Sequence, residues 1–219
     1  MFKTIIIIIS LSIHTFTLCQ NSYQLAILKY NGGGDWYANP TSLNNLAKFC
    51  NNKLNMNIDE KYAIIEPSND DIFNYPFIHM TGHGNVIFNE SEIKNLRKYL
   101  LGGGFLHIDD NYGMDKFIRN EMKKVFPELQ FVQISNSHNI YNNIYHFENG
   151  LPKIHVHDNQ PSQGLALIYN GKIICFYSYE SDLSDGWEDK NVHNNPSHIR
   201  EKALKMGANI ICYAMNPVL

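Results

Sequence analysis

Short apolar runs in the first two-thirds of the chain each stop abruptly at glycines or acids, and stretches of helical spacing separate them. Leu25 to Tyr30 ends at Gly32-Gly33-Gly34, Phe77 to Thr81 ends at Gly82-His83-Gly84, and Phe105 to Ile108 runs straight into Asp109-Asp110. Tyr62 to Glu66 and Leu129 to Ile134 read as two further strands. Between them, Pro40 and Thr41 open a helix with Leu43, Leu46, Ala47, Cys50 and Leu54 on one face. A second helix, capped near Asn89 or Ser91, turns Ile93, Leu96, Tyr99 and Leu100 inward and stops at Gly102. A third, Met114 to Phe126, turns Phe117, Ile118, Met122 and Val125 inward and stops at Pro127. Strands that are apolar on both sides need cover on both sides. Joined by helices of this length, they run parallel.

The last third changes rhythm. Leu165 to Tyr169 and Lys172 to Tyr179 flank Asn170-Gly171, the signal of a hairpin with a type I′ turn. Ser197 then caps a long helix with Ile199, Ala203, Leu204, Ala208, Ile210 and Ile211 on a broad apolar face. The pattern predicts one α/β domain over residues 20–219. Its sheet is doubly wound, mostly parallel and three-layered, with a C-terminal hairpin and a closing helix. A chain of 219 residues suits one domain.

Residues 1–19 read as a signal peptide. Lys3 is a short positive region, Ile5 to Ile9, Leu11, Ile13 and Leu18 make a short apolar core, and Thr17 and Cys19 are small residues before a cut at Gln20. Thr4 to Leu18 is 15 residues, too short to span a bilayer as a helix and interrupted by His14. The mature protein is therefore expected outside the cytoplasm, periplasmic or extracellular, with no transmembrane helix. Acylation of Cys19 is a second expectation, although Leu18 and Phe16 depart from the usual lipoprotein signal. The chain carries 18 basic against 21 acidic residues, and the leader takes only Lys3 with it. That balance excludes an electrostatic case for nucleic acid or anionic membrane. Cys50, Cys175 and Cys212 sit in apolar or helical contexts, without a CxxC. Buried thiols fit them, and one disulfide stays open.

In a parallel sheet, ligands bind beyond the carboxyl ends of the strands. The residues following those ends are Gly32, Gly33, Gly34, Asp35, Trp36 and Tyr37, then Gly82, His83, Gly84 and Asn85, then Asp109, Asp110, Asn111 and Tyr112. After the hairpin come Glu180, Asp182, Asp185, Trp187 and Glu188. Phe105, His107 and Asp109 share one side of their strand, and Leu106, Ile108 and Asp110 the other. Two carboxylates at a buried strand end need a partner, a proton or a cation. An acid/base pair, metal ligands beside His83, and a structural loop or cap role all fit them. His83 between glycines suits a base, a ligand or a turn residue. His155 and His157 alternate onto one face, a weak metal spacing that equally suits a polar surface. His107 reads as a core histidine. Trp36 and Trp187, the only two tryptophans, lie in acidic, glycine-flanked loops suited to stacking on a sugar ring. A place over the rim of the core suits them equally. Gly32-Gly33-Gly34 could form an anion nest, but the dinucleotide and P-loop spacings are absent, and Asp35 disfavours a phosphate.

Leu28-Lys29-Tyr30 with its glycine run, Met80-Thr81-Gly82-His83-Gly84, Gly102-Gly103-Gly104-Phe105-Leu106-His107-Ile108-Asp109-Asp110, Asp185-Gly186-Trp187-Glu188 and Met206-Gly207-Ala208-Asn209 together carry a resemblance. Through them most of the mature chain resembles a bacterial family known as a domain of unknown function (number 4159). The resemblance implies a branch of the class I glutamine amidotransferase-like, flavodoxin-like fold, similar to trehalose-utilisation-type proteins. Glutamine amidotransferases need a cysteine in a tight turn after a central strand. Here Asp109-Asp110 occupies the matching strand end, so glutaminase chemistry is not expected. Ser137-His138-Asn139-Ile140 departs from the Asp-His-Pro-Ile of relatives.

The expectation is an exported protein that acts on or binds a carbohydrate or cell-wall-type ligand, or another small molecule. Asp109, Asp110 and His83 would be catalytic, and Gly33, Gly34, Asp35, Trp36, Tyr112, Asp185, Trp187 and Glu188 would contact the ligand. A non-catalytic binding or assembly module and a metal-dependent hydrolase are the rival readings. No cofactor or metal is assigned from the sequence.

Overall fold

The structure, a computed structural model, describes residues 22–110, 112–157 and 159–216. The leader expected at 1–19, with Cys19, lies outside these residues, as do Asn111 and Asp158. Seven strands form one sheet: β1 Ala26–Leu28, β2 Ala63–Ile65, β3 Phe77–Gly82, β4 Phe105–Asp110, β5 Val132–Gln133, β6 Gln163–Tyr169 and β7 Lys172–Tyr179. Their order is β2-β1-β3-β4-β7-β6-β5. The pairs from β2 through β7 are parallel, and β6 runs antiparallel to both β7 and β5. The expected mostly parallel α/β sheet is present, with the hairpin strands inside it.

Strand alternation divides the core in two. Ile27, Phe77, Phe105 and Phe176 face α1 (Ser42–Leu54) and α5 (Ser197–Met215), meeting Leu43, Leu46, Met206 and Ile210. Ala26, Leu28, Ile78, Met80, Leu106 and Ile108 face α2 (Glu90–Leu101) and α3 (Asp115–Val125), meeting Leu96, Tyr99, Ile118 and Met122. At roughly 25 cal/mol per Å² of apolar surface, these two interfaces are the main favourable term in folding. Asn89 starts α2 with a full capping box: its side chain accepts from the Glu92 amide, and the Glu92 carboxylate accepts from the Asn89 amide. Asn170 and Gly171, at φ 49° and 78°, make the expected hairpin turn. Among the described residues no helix is long and apolar enough to cross a membrane.

Three local expectations change. β4 does not stop before its acids: Asp109 and Asp110 belong to the strand and pair with Thr81 and Gly82 of β3. Phe117 is 37% exposed, because α3 turns Ile118, Met122 and Val125 to the sheet and its neighbouring face to solvent. The strand expected over 129–134 is reduced to Val132–Gln133, both exposed on the sheet edge.

Candidate functional site

β1 lies between β2 and β3, so successive crossovers leave it in opposite directions, and the loops following β1 and β3 mark the reversal. This topological switch point is where open α/β sheets bind ligands. The two loops bond to each other: the Gly34 amide donates to the Asn85 carbonyl at 3.0 Å, and Ile87 donates to Asn31 at 2.8 Å. Gly82 has φ +138°, and a Cβ there would lie 2.3 Å from the Tyr30 hydroxyl. Only glycine allows the chain to turn at this point and place the next residue on the rim.

That next residue is His83. Its Nδ1 lies 3.0 Å from Oδ2 of Asp35, and its backbone amide donates to Oδ1 of the same carboxylate. Asp35 therefore holds both the main chain and the ring of His83, leaving Nε2 free of that contact. The two side chains are 55% and 35% exposed, so the pair faces solvent. Trp36 is partly buried and packs edge-on against the exposed Tyr37. A carboxylate orienting one ring nitrogen of an accessible imidazole is an arrangement suited to general-base work at the other.

Asp109 has a different environment. It is fully buried, and its carboxylate accepts from the Ser178 hydroxyl, the Leu183 amide (3.1 Å), the Ser184 amide (2.7 Å) and the Ser184 hydroxyl (2.6 Å). Burial pushes its pKa up to about 7, against the lowering effect of these bonds. With both oxygens occupied, Asp109 anchors the turn Leu183–Gly186 to the end of β4. Asp110 points to the opposite face, accepting from the Met114 amide (2.9 Å) and the Tyr177 hydroxyl (3.2 Å), and so starts α3. Burial raises its pKa as well. The two adjacent acids expected as a catalytic pair are thus separated by the strand itself and act as anchors.

The segment Asp185-Gly186-Trp187-Glu188 also divides its work. Trp187, expected as a stacking platform, is 0% exposed: its Nε1 donates to the Ala203 carbonyl at 2.9 Å, and its ring packs against His79 and His107. A Cβ on Gly207 would come within 2.8 Å of that ring, so α5 can approach only because residue 207 has no side chain. Glu188, expected to meet a ligand, accepts from the Thr41 amide (2.9 Å) and hydroxyl (2.8 Å) and thereby caps α1. Asp185 alone turns towards a polar cluster. Its Oδ1 accepts from Asn39 Nδ2 at 2.9 Å, and its Oδ2 lies 2.9 Å from His155 Nδ1. Hydrogen bonding to Asp185 raises the His155 pKa. His157 Nε2 lies 2.5 Å from Oδ2 of Asp182, and its ring stacks on exposed Tyr112 at 4.9 Å.

Of the expected residues, His83, Asp35, Trp36 and the Gly33-Gly34 turn come together at the switch point. Tyr112 and Asp185 belong to the second cluster, beside the ends of β4 and β7. Asp109, Asp110, Trp187 and Glu188 support those loops from inside. Sequence reasoning missed Asn39, whose amide reaches both Ser184 (2.6 Å) and Asp185, and the partners His193 and Asn195. Ser178 was legible: strand alternation from Phe176 places it on the face of His107 and Asp109. An open cleft of about 1000 Å³ between residues 145–153 and the first half of α5 contains none of the expected residues.

A search of curated proteins finds no match to the chain. The family model described as "Domain of unknown function (DUF4159)" matches residues 24–215, which include both loop clusters and the whole sheet. The chain belongs to this family.

Proposed function

We propose that this protein is an exported, enzyme-like domain that binds a polyhydroxylated ligand of the carbohydrate or cell-wall type at the switch point and acts on it by acid–base chemistry. The observation that carries the reading is the contact between Asp35 and His83. The carboxylate fixes Nδ1 and the backbone of His83 at the exposed rim, which leaves Nε2 available to a ligand. There Nε2 would take a proton from a ligand hydroxyl or a water. The apolar side of a sugar ring suits the partly exposed Trp36 and the exposed Tyr37, and ring hydroxyls suit the loop carbonyls and acids beside them.

The scaffold is proposed as class I glutamine amidotransferase-like, akin to trehalose-utilisation-type proteins, with the nucleophilic cysteine missing. Cys50 lies in α1, Cys175 within β7 and Cys212 in α5, so none stands in a turn after a strand. In place of that nucleophile the loop chemistry uses an imidazole and a carboxylate. Export, suggested by the apolar leader, would put this chemistry among extracellular glycans.

The test is a panel of glycans and cell-wall fragments assayed with the wild type, His83→Asn and Asp35→Asn. Turnover lost in both variants, with ligand binding retained, supports the reading. Binding without turnover in the wild type leaves a recognition module on the same site. Turnover indifferent to both substitutions removes the pair from the mechanism.

A further inference from the structure

His155, Asp185 and His193 come from three separate segments: the stretch before β6, the turn Leu183–Gly186, and the short helix α4 (Lys190–His193). Their ligating atoms nevertheless lie within 4.8 Å of one another. His155 Nδ1 is 2.9 Å from Asp185 Oδ2, and His193 Nε2 is 3.7 Å from Asp185 Oδ1. The neighbours orient these groups. Asn195 Oδ1 accepts from His155 Nε2 at 2.9 Å, so a neutral ring turns its Nδ1 lone pair to the Asp185 carboxylate. In the protonated ring the same nitrogen donates to Asp185, and a metal ion that displaces this proton takes both groups as ligands. Asn39 meanwhile holds Oδ1 of Asp185 in place.

A second observation comes from the adjacent carboxylate. Asp182 is 1% exposed, and its Oδ1 is buried with no hydrogen-bond partner among the described residues. Its Oδ2 lies 3.7 Å from His155 Nδ1. An unpartnered oxygen on a buried carboxylate is costly unless positive charge lies near.

We propose that His155, Asp185 and His193 bind a divalent transition-metal ion, at a site separate from the Asp35–His83 pair. Two imidazoles and a carboxylate match zinc and its neighbours, whereas magnesium and calcium take oxygen ligands. Bonds of about 2.1 Å to a tetrahedral zinc put ligand atoms about 3.4 Å apart. The separations of 2.9 Å to Oδ2 and 3.7 Å to Oδ1 of Asp185, within a set spanning no more than 4.8 Å, bracket that value, so side-chain adjustment would bring the three groups onto one ion. Three protein ligands leave a position open for a water or a ligand oxygen, and the Asp182 carboxylate adds negative charge beside His155. Asn195 and Asn39 are positioning residues for the ligands.

The test uses the purified protein, stripped with a chelator and titrated with zinc chloride in a calorimeter, with cobalt(II) as an optical probe. One zinc per chain is expected, together with the visible absorption of cobalt in a low-coordinate site. His155→Ala and His193→Ala should abolish that stoichiometric binding. Asn195→Ala should weaken it by about 10–100-fold, and the remote, exposed His146→Ala should leave it unchanged. His193 lies on the exposed α4, so its variant keeps the fold, which thermal unfolding checks. Absence of zinc binding by the stripped wild type, or binding that survives both histidine variants, overturns the proposal.

Discussion

Nδ1 of His79 and Nδ1 of His107 face each other at 3.1 Å across adjacent parallel strands, both residues fully buried. One nitrogen must donate and the other accept. The chain of bonds beyond them decides which. With Asp109 ionised, the Ser178 hydroxyl donates to it; His107 Nε2 then donates to Ser178 at 3.0 Å, and His79 Nδ1 donates to His107. The chain ends at His79 Nε2, a buried atom without a hydrogen-bond partner among the described residues. A directed row of polar groups thus crosses the middle of the sheet, closed over by Trp187.

This row predicts acid sensitivity. Burial pushes the His79 pKa down to about 3, from an unfolded value near 6.5. Between those values the unfolded chain binds a proton that the folded chain refuses, so stability falls as pH drops from about 6.5 towards 3. His107, lowered mainly by burial, acts in the same direction. Asp109, raised by burial, acts in the opposite one, but it is common to both proteins compared here. His79→Gln removes one titrating base while its amide can still donate to His107. Urea unfolding between pH 6 and pH 4 should therefore show a slope shallower by about 1.4 kcal/mol per pH unit in the variant. Equal slopes would mean that His79 is not held neutral.

Asp109→Asn tests the anchor. The amide supplies one acceptor oxygen where the carboxylate supplies two, and its NH₂ faces buried donors. The loss should be on the order of 3 kcal/mol, since each buried group left without a partner costs about 1–3 kcal/mol. Hydrogen exchange should localise the loosening to residues 181–188. A variant as stable as the wild type, with unchanged exchange there, would contradict the anchoring role.

The two tryptophans should behave differently. Trp187→Ala empties a fully buried site between α5 and the sheet and should cost about 3–5 kcal/mol. Trp36→Phe, at a partly exposed position, should cost far less. In fluorescence, Trp187 should resist acrylamide quenching and ignore added ligand, while Trp36 should respond to both. Quenching that persists in Trp36→Phe would place Trp187 at the surface.

That contrast shows what sequence can and cannot convey. The sheet was legible because each strand writes its burial on both faces, as in Phe105 to Ile108, and the helices write theirs at helical spacing. The direction of a loop side chain leaves no such period. Trp36 and Trp187 have matching acidic, glycine-flanked settings, yet one lies at the rim and the other in the core. The difference is made by Gly207, 20 residues further on, which clears space for one indole. Asp109 and Asp110 follow strand alternation faithfully, and this is why they cannot form a pair. The contacts of Asp35 with His83 and of His155 with Asp185 join separate segments, so nothing local marks them.

The Asp35–His83 pair yields the sharpest functional prediction. In Asp35→Asn the amide still fits the loop, but it no longer enforces one tautomer and orientation of the ring. Turnover of a responsive glycan should fall by roughly 10²-fold or more, with ligand binding changed little. Stability should barely move, because the carboxylate is 35% exposed and water can replace its bonds. His83→Asn should lose as much, and the double variant should lose no more than either single one, since the carboxylate acts only through the ring. Additive losses would show that Asp35 touches the ligand independently. That outcome would reassign it from a positioning residue to a ligand contact.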